Sequence, residues 1–313
     1  MDNVLLVPAT RDSEWIQEVM PGMSPAELPV AGRRIVEYAV ERARKADELF
    51  IEVLDWHFSE ALSKDFSDLT RTACPVFYVQ GEGAIPEGLA DIEGLSTPLT
   101  ETILDGLLVV WGPVVPDPDT DGGGSFTPVT EEQLRRTPPG VYRREGGRWL
   151  VRSPQGLVIR DVRMWHRLNF SALRHPEVFP LPGYSAEKGV YLGRNVVMER
   201  GVEIKPPVLV NDDAWCARNV RFEGSVIVGA RSYVGEGTRL LRTMVGDDTF
   251  VGDGLDFEDK IIVGSRVIDV KTGVWTDVED VGVAHRIGGA PAQTGWLRRI
   301  WNLIVGSSRG RRD

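Results

Sequence analysis

The C-terminal half of the chain repeats apolar residues at an interval of six. The repeat begins at Leu192, takes one five-residue step after Leu240 and ends at Val263. A second series lies four residues after each member and is mostly small or β-branched. The first series is Leu192, Met198, Ile204, Val210, Cys216, Phe222, Val228, Val234, Leu240, Val245, Val251, Phe257 and Val263, and the second is Val196, Val202, Val208, Ala214, Val220, Val226, Ser232, Thr238, Met244, Thr249, Leu255, Ile261 and Val267.

This interval differs from the 3.6 residues of a helical turn and from the alternation of a plain strand. It is typical of a chain wound into triangular coils, in which each side turns one bulky residue inward and a small one follows at the corner. We therefore interpret both series as core, without a catalytic role. At six places a glycine follows the inward residue, where we expect the missing Cβ to ease the turn; these are Gly193, Gly229, Gly235, Gly246, Gly252 and Gly264.

The segments VGARSY, VGEGTR and VGDDTF resemble the hexapeptide repeat of left-handed parallel β-helices. The resemblance covers about residues 186–270, which corresponds to about four coils of about eighteen residues each. The period itself predicts only the coil. Its left hand is implied by the resemblance, since chirality rules alone favour right-handed connections.

The N-terminal half alternates strand and helix signals, which predicts an α/β domain. Residues 3–54 read as strand, loop, helix and strand, with helical spacing of Ile35, Tyr38, Ala39, Arg42 and Ala43. Three further segments are predicted from their composition: a buried strand ending in a loop at 106–116, a flexible linker or surface excursion at 117–128, and a hairpin over a Glu-Gly-Gly turn at 141–151.

Composition and charge exclude several classes of function. With 42% hydrophobic and 26% charged residues the chain has the make-up of a globular protein. Its net charge of −10 disfavours nucleic-acid binding, because the phosphate backbone would be repelled. We expect no signal peptide and no membrane span, since the first residues lack a basic region and no apolar run is long enough. A cytoplasmic location is predicted.

The order of the N-terminal segments resembles the sugar-nucleotide pyrophosphorylases, which join a sugar 1-phosphate to a nucleoside triphosphate. The segment LPVAGRRIVEYAVERARKA is similar to the start of a helix in that family, and WHRLNFSALRH at 165–175 resembles the stretch that leads from the transferase domain to the coils. Many members carry a hexapeptide β-helix after the transferase domain. The resemblance therefore implies a role in sugar-nucleotide or envelope-polysaccharide metabolism.

Three motifs that carry the family's chemistry are changed here. The triphosphate loop, rich in glycine in the family, corresponds to residues 6–11, where only Thr10 and Arg11 remain as candidate nucleotide contacts. The phosphate-binding lysine corresponds to Pro25. The Gly-Asp pair that binds Mg²⁺ corresponds to Gly112-Pro113. The resemblance thus predicts a catalytically silent protein that acts by assembly or regulation and needs no cofactor, with Mg²⁺ required only if nucleotidyl transfer persists.

Two other activities stay open. Residual nucleotidyl transfer would use Thr10 and Arg11. A hexapeptide acyltransferase would instead use a histidine beside the coils as general base, and His285 is the candidate.

Other reactive side chains are given structural interpretations. Cys216 falls in the inward series and Cys74 has no activating neighbour in sequence, so neither indicates a disulfide or a metal site. Asp117, Asp119 and Asp121 lack the remainder of a calcium loop, and we interpret them as a solvated acidic loop.

The last residues form a separate basic element. Leu297, Ile300, Trp301 and Ile304 share one predicted helical face, and arginines flank them. Residues 296–312 are predicted either to dock on the coils or to contact an anionic membrane surface weakly.

The chain is thus predicted to contain three parts. Residues 1–183 form a shortened nucleotidyltransferase-like α/β domain, residues 184–283 an all-β left-handed parallel β-helix, and residues 284–313 a basic tail with a short amphipathic helix. Because coils pack side by side in proteins that this one resembles, we expect a homo-oligomer. An enzyme of glycan assembly is a further expected partner.

Overall fold

The computed structural model describes residues 4–7, 10–38, 50–54, 76–80, 87–94, 106–115, 125–153, 157–177 and 179–288. The chain divides into two compact units. The first holds Met1–Trp165 and Glu177–Phe179, and the second holds His166–Pro176 and the chain from Pro180 onward. Within the described ranges, no helix has the length and apolar character needed to cross a membrane.

The first unit is built on a seven-stranded mixed sheet. The strands of the whole unit are β1 (Val4–Val7), β2 (Pro29–Val30), β3 (Arg33–Arg34), β4 (Phe50–Leu54), β5 (Val76–Gln80), β6 (Leu108–Trp111), β7 (Val114–Val115), β8 (Ser125–Pro128), β9 (Gly140–Glu145), β10 (Arg148–Ser153) and β11 (Leu157–Val158). Four of them form two-stranded pairs outside this sheet, β2 with β3 and β7 with β11. The sheet order is β5-β4-β1-β6-β9-β10-β8. The first four of these strands are parallel, and the other three continue the sheet by antiparallel pairing.

Short helices accompany this sheet. They are α1 (Glu14–Val19), α2 (Leu89–Gly94), α3 (Glu131–Arg135) and α4 (Val162–Ala172), with 3₁₀ turns at Arg11–Ser13 and Pro25–Glu27. Every residue of β6 is buried, as predicted for a strand covered on both faces. Alternate side chains of β1 and β6, such as Leu5 and Trp111, pack with Leu89 and Ile92 of α2 in one cluster.

Two of the local predictions are confirmed and one is partly wrong. β9 and β10 form the predicted hairpin, with Gly146 and Gly147 both at positive φ in its turn. β4 is the predicted second strand of the N-terminal segment. Residues 125–128, however, are not linker: they pair with β10 as the edge strand β8. The sequence did not predict this strand because it is short and the glycines before it are typical of a linker.

The predicted helix at 33–47 begins later than expected. Residues 33–34 belong to a two-stranded hairpin with β2, and residues 35–38 are helical, while the remainder lies outside the described residues. Ala31 and Gly32 form the turn with φ of 51° and 77°, the left-handed values that a tight hairpin requires. The hydroxyl of Tyr38 donates to the carbonyl of Val30 at 2.9 Å, which ties the helix to the hairpin.

The second unit contains the predicted parallel β-solenoid of about four turns, which resembles a left-handed β-helix. Its strands are β12 (Tyr184–Glu187), β13 (Val190–Leu192), β14 (Val197–Met198), β15 (Glu203–Lys205), β16 (Val208–Val210), β17 (Trp215–Cys216), β18 (Arg221–Val228), β19 (Tyr233–Val234), β20 (Arg239–Val245), β21 (Thr249–Val251), β22 (Asp256–Glu258), β23 (Lys260–Val263), β24 (Arg266–Asp269), β25 (Trp275–Asp277) and β26 (Ala284–Arg286).

Successive coils stack in parallel register on three faces. On the first face Val190 pairs with Val208 and Val208 with Val226. The second face consists of β14, β17, β19 and β21 and ends with the antiparallel strand β26. The third face consists of β15, the start of β18, the start of β20 and β22. The predicted inward series fills the core between the faces from Leu192 to Phe257.

Three members of the predicted series are wrong. Val245 pairs with Ile262, so Ile262 and not Val263 occupies the inward position. Thr243 pairs with Val226 and is fully buried. Met244 and Ile261 lie one position further along and are buried too, but they are not part of the core cluster between the faces. The reason is that two successive coils, not one, are a residue short at the corner between the third and first faces.

Buried hydroxyl groups stabilise the shorter coils. The Ser232 hydroxyl donates to the carbonyl of Gly246 at 2.7 Å and accepts from the amide of Thr249 at 3.1 Å. The Thr238 hydroxyl bonds to Gly252 and Leu255 in the same way, at 2.7 and 3.1 Å. Polar side chains are therefore tolerated in the core because each one bridges two main-chain groups of the next coil.

Close approach between coils, rather than turn geometry, explains most of the six glycines. Five of them do not have positive φ, and Gly264 alone does, at 59°. A Cβ on Gly229 or Gly235 would overlap main-chain atoms of the next coil. The left-handed corner positions are other residues, Asn195, Gly201, Asp213, Asn219, Arg231, Gly237, Asp248 and Gly254, which repeat at the coil period.

Two neighbouring leucines of β20 test the direction in which the coil buries its side chains. Leu240 is fully buried, whereas the next residue, Leu241, faces outward and is partly exposed. We expect Leu240→Ala to lower the free energy of unfolding by about 2–5 kcal/mol. Leu241→Ala should cost about 1 kcal/mol or less, since little apolar area is lost. Denaturant titration of both variants measures the difference, and equal losses would contradict the assigned register.

Candidate functional site

In the first unit, the strand order in the parallel part of the sheet has a switch point at β1. β4 and β5 lie on one side of β1, and β6 lies on the other. In open sheets with this order, ligands bind in the crevice outside the carboxyl ends of the strands at the switch point. Thr10 and Arg11 follow β1, and Gly112 and Pro113 follow β6. The structure therefore brings these candidate residues to one edge, where the amide of Gly112 donates to the carbonyl of Val7 at 2.7 Å.

Thr10 is held by its own turn. Its amide donates to the hydroxyl of Ser13 at 2.9 Å, and that hydroxyl donates to the carbonyl of Thr10 at 2.7 Å. The Thr10 hydroxyl oxygen is buried and has no hydrogen-bond partner in the part of the chain that the structure describes. A buried hydroxyl in this state is costly unless something else bonds to it.

The guanidinium of Arg11 is already paired. It forms an ion pair with the carboxylate of Glu87, and the two side chains are 59% and 62% exposed. Solvent weakens such a pair. The Glu87 carboxylate would oppose a phosphate that approached Arg11, and sequence analysis gave no reason to expect this partner because it lies 76 residues away.

The edge of β6 does not fit the magnesium ion that the family resemblance implies. Mg²⁺ is held by carboxylate oxygens, and Gly112-Pro113 supplies none. Gly112 has φ of 79°, and a Cβ there would come within 2.9 Å of a Pro139 carbon. The carbonyl of Pro113 accepts from the amide of Ile159 at 3.0 Å. Among the described residues there is no group of three acidic, histidine or cysteine side chains that could hold a metal.

Pro25, the position of the expected lysine, has a structural role. It is buried and is the first residue of the 3₁₀ turn Pro25–Glu27. Ser24 caps that turn: its hydroxyl accepts from the amide of Ala26 at 3.1 Å, and its amide donates to Glu27 Oε2 at 3.0 Å. Proline suits this position because the first amide of a helical turn has no partner within it.

His285 lies in the other unit, on β26 at the end of the second face. Its ring packs on Phe250, with centroids 4.5 Å apart, and Phe250 stacks on Tyr233 at 5.1 Å. Nδ1 lies 2.8 Å from the carbonyl of Val281. That bond selects the tautomer protonated at Nδ1 and leaves Nε2 as the acceptor. Within the described ranges Nε2 has no hydrogen-bond partner.

Partial burial lowers the pKa of His285, and the bond to the Val281 carbonyl only partly opposes this effect. The imidazole is therefore neutral near pH 7 and has one fixed nitrogen and one available nitrogen. This is the state that a general base needs. The sequence-predicted candidates thus fall into two sets in different units, Thr10 with Arg11 and His285 by itself.

The remaining candidates are inert or lie outside the described residues. Cys216 is fully buried in the solenoid core, and burial raises the pKa of its thiol to about 12. Cys74, the three aspartates at 117, 119 and 121, and the basic segment 296–312 lie outside the described residues.

Sequence analysis missed a polar cluster at the short corner of the solenoid. Arg242 and Asp259 occupy successive corners at φ of 45° and 52°, and Arg242 Nε lies 2.6 Å from Asp259 Oδ1. Lys271 Nζ lies 2.9 Å from the same carboxyl group, whose pKa these partners lower to about 2. His166 Nε2 bonds to the Arg242 carbonyl at 2.8 Å. The cluster therefore has a structural role, because it stabilises the short corner and binds His166 to it.

Comparisons with known proteins add no identification. No model of a known protein family matches the chain, and no curated protein matches it.

The stacking on Phe250 should control the titration of His285. In Phe250→Leu the imidazole becomes more hydrated, so we expect its pKa to rise towards the ordinary value of about 6.5. NMR titration of the ring Cε1 proton measures the change. Tyr233→Leu, one coil further from His285, is the control and should leave that pKa unaltered.

The same lowered pKa has a consequence for stability. Because the unfolded chain binds this proton more tightly than the folded chain does, the contribution of His285 is complete above about pH 6.5 and decreases as the pH falls below that value.

Proposed function

We propose that this protein is a catalytically silent relative of the sugar-nucleotidyltransferases, which acts by assembly or regulation in sugar-nucleotide or envelope-polysaccharide metabolism. The main support comes from the edge of the sheet at which β1 and β6 end, which we call the switch-point edge. There the Arg11 guanidinium is paired with Glu87, and the dipeptide that should supply a metal ligand is Gly112-Pro113. Charge stabilisation by a metal and by fixed cations supplies most of the rate in phosphoryl transfer.

Two of the altered positions have a role in the fold, which supports the proposal. Pro25 begins a capped turn, and the carbonyl of Pro113, at the position of the expected metal ligand, accepts a hydrogen bond from the amide of Ile159. Neither residue can supply the charge that a catalyst would need there.

The proposal predicts no nucleotidyl transfer. We expect the full-length protein, incubated with Mg²⁺, a nucleoside triphosphate and common sugar 1-phosphates, to release no pyrophosphate above the protein-free rate. Glu87→Gln would free Arg11 and test whether the ion pair alone blocks activity. We expect this variant to be inactive as well, since the metal carboxylate is still missing.

Turnover by the wild-type protein that is lost in Thr10→Val and Arg11→Ala would contradict the proposal. It would favour residual nucleotidyl transfer, in which the buried Thr10 hydroxyl finds its partner in a phosphate. Arg160→Ala provides a control for the loss of one arginine elsewhere in the same unit.

A second candidate function, acyl transfer, is favoured by the geometry of His285. Its Nδ1 is fixed by the carbonyl of Val281 and its Nε2 is available to accept a proton from a hydroxyl or amine. The solenoid of hexapeptide repeats is the scaffold on which the resembling acyltransferases place such a histidine. This candidate concerns the second unit and is independent of the switch-point edge.

Acyl transfer predicts that acyl-CoA is consumed when sugar or amine acceptors are present. His285→Ala should then lower kcat/KM by about 100-fold or more, the usual contribution of a general base. His175→Ala is the matched control in the same unit and should retain the activity. Equal rates in all three proteins would exclude His285 as the base.

A further inference from the structure

The large sheet of the solenoid ends in an exposed edge strand at each end. β12 forms one edge and β25 the other. Tyr184 on β12 is 61% exposed, and on β25 Trp275 is 41% exposed beside Val274 at 62%. Edge strands are commonly protected by bulges, lysine or proline. β12 contains a register shift between Ser185 and Glu187. β25 has no bulge, lysine or proline, and its one charged side chain, Asp277, is paired with Arg266.

The main-chain groups of β25 that face the open edge can be identified from its hydrogen bonds. The amide of Asp269 donates to the carbonyl of Val274, and the amide of Val278 donates to the carbonyl of Ser265, both at 2.8 Å. Because bonding alternates along an antiparallel strand, Thr276 also bonds to β24. The amides and carbonyls of Trp275 and Asp277 therefore point to the open edge.

The side chains at this edge are held rigidly. The Arg266 guanidinium lies 3.9 Å from the centroid of the Trp275 ring and forms two hydrogen bonds of 2.7 Å with the Asp277 carboxylate. The cluster has no net charge. An exposed tryptophan backed by an arginine is the kind of group that dominates binding at protein interfaces, and its fixed geometry reduces the entropy lost on association.

We propose that β25 pairs antiparallel with β25 of a second copy of this chain about a two-fold axis at Thr276. In this register Trp275 lies opposite the partner's Asp277, and the two residues exchange both main-chain hydrogen bonds. No like charges face each other, because each Asp277 is neutralised by its own Arg266. The first faces of two solenoids would then form one continuous sheet. The proposal deepens, and rests on, the proposed role in assembly.

The two-fold register makes a charge-swap experiment possible. Thr276 would face the same residue of the other copy, with Cα atoms about 4.5 Å apart. Sedimentation equilibrium of the full chain should give a dimer for the wild type. Thr276→Lys and Thr276→Asp should each weaken the dimer by about tenfold or more, because like charges would be opposed. An equimolar mixture of the two variants should restore it.

Ser185→Lys is the matched control, since it places the same charge on the other edge strand, and it should leave the dimer intact. Thermal melts of each variant identify any loss of folding. A monomeric wild type, a dimer that persists in both single variants, or a mixture that fails to recover would each overturn the proposal. Sedimentation measures the mass without substrate. The dimer and the absence of nucleotidyl transfer are therefore tested independently.

Discussion

Main-chain hydrogen bonding between successive coils is the constraint on which the second unit depends. Each strand must lie beside its equivalent in the next coil, as in the run of pairs from Val190 to Val208 to Val226. The narrow spacing of paired strands excludes a Cβ at Gly229. The left-handed corners at positions such as Asp213 and Asp248 follow instead from the sharp turn between two faces. Because equivalent positions stack on each other, both requirements recur once in every coil.

The same constraint determines what happens when a coil loses a residue. Removing one residue leaves strand pairing intact only if the corner tightens, and Arg242 and Asp259 occupy the tightened corners. Their side chains pair with each other, and the carbonyl of Arg242 accepts from His166. The shortened corner is thus the place where His166 bonds to the solenoid. The last strand at each end of the stack has no further strand to bond to. The open main-chain groups of β25 are therefore suited to pairing with a second chain.

How much could be predicted from sequence differed between the two units for a physical reason. The solenoid repeats one environment many times, so the inward series was recoverable up to Phe257 and failed at Val263, where a second shortened corner shifts the register. The hydroxyl bridges of Ser232 and Thr238 explain the polar members of the small series, but their partners lie 14 to 17 residues away and leave no local signal. Most corner residues did leave one, an Asn, Asp or Gly at the coil period, whereas Arg231 and Arg242 are exceptions.

The first unit offers no repeat, so its candidate site depends on contacts between distant segments. Thr10 and Gly112 lie at the same edge because β1 and β6 are neighbours in the sheet. The hydrophobic pattern alone does not predict that strand order. The pairing of Arg11 with Glu87 and the packing of Pro139 on Gly112 arise only after folding. An arginine whose ion-pair partner lies in the same unit can be explained by the fold alone. For that reason Arg11 by itself does not favour the hypothesis of residual nucleotidyl transfer.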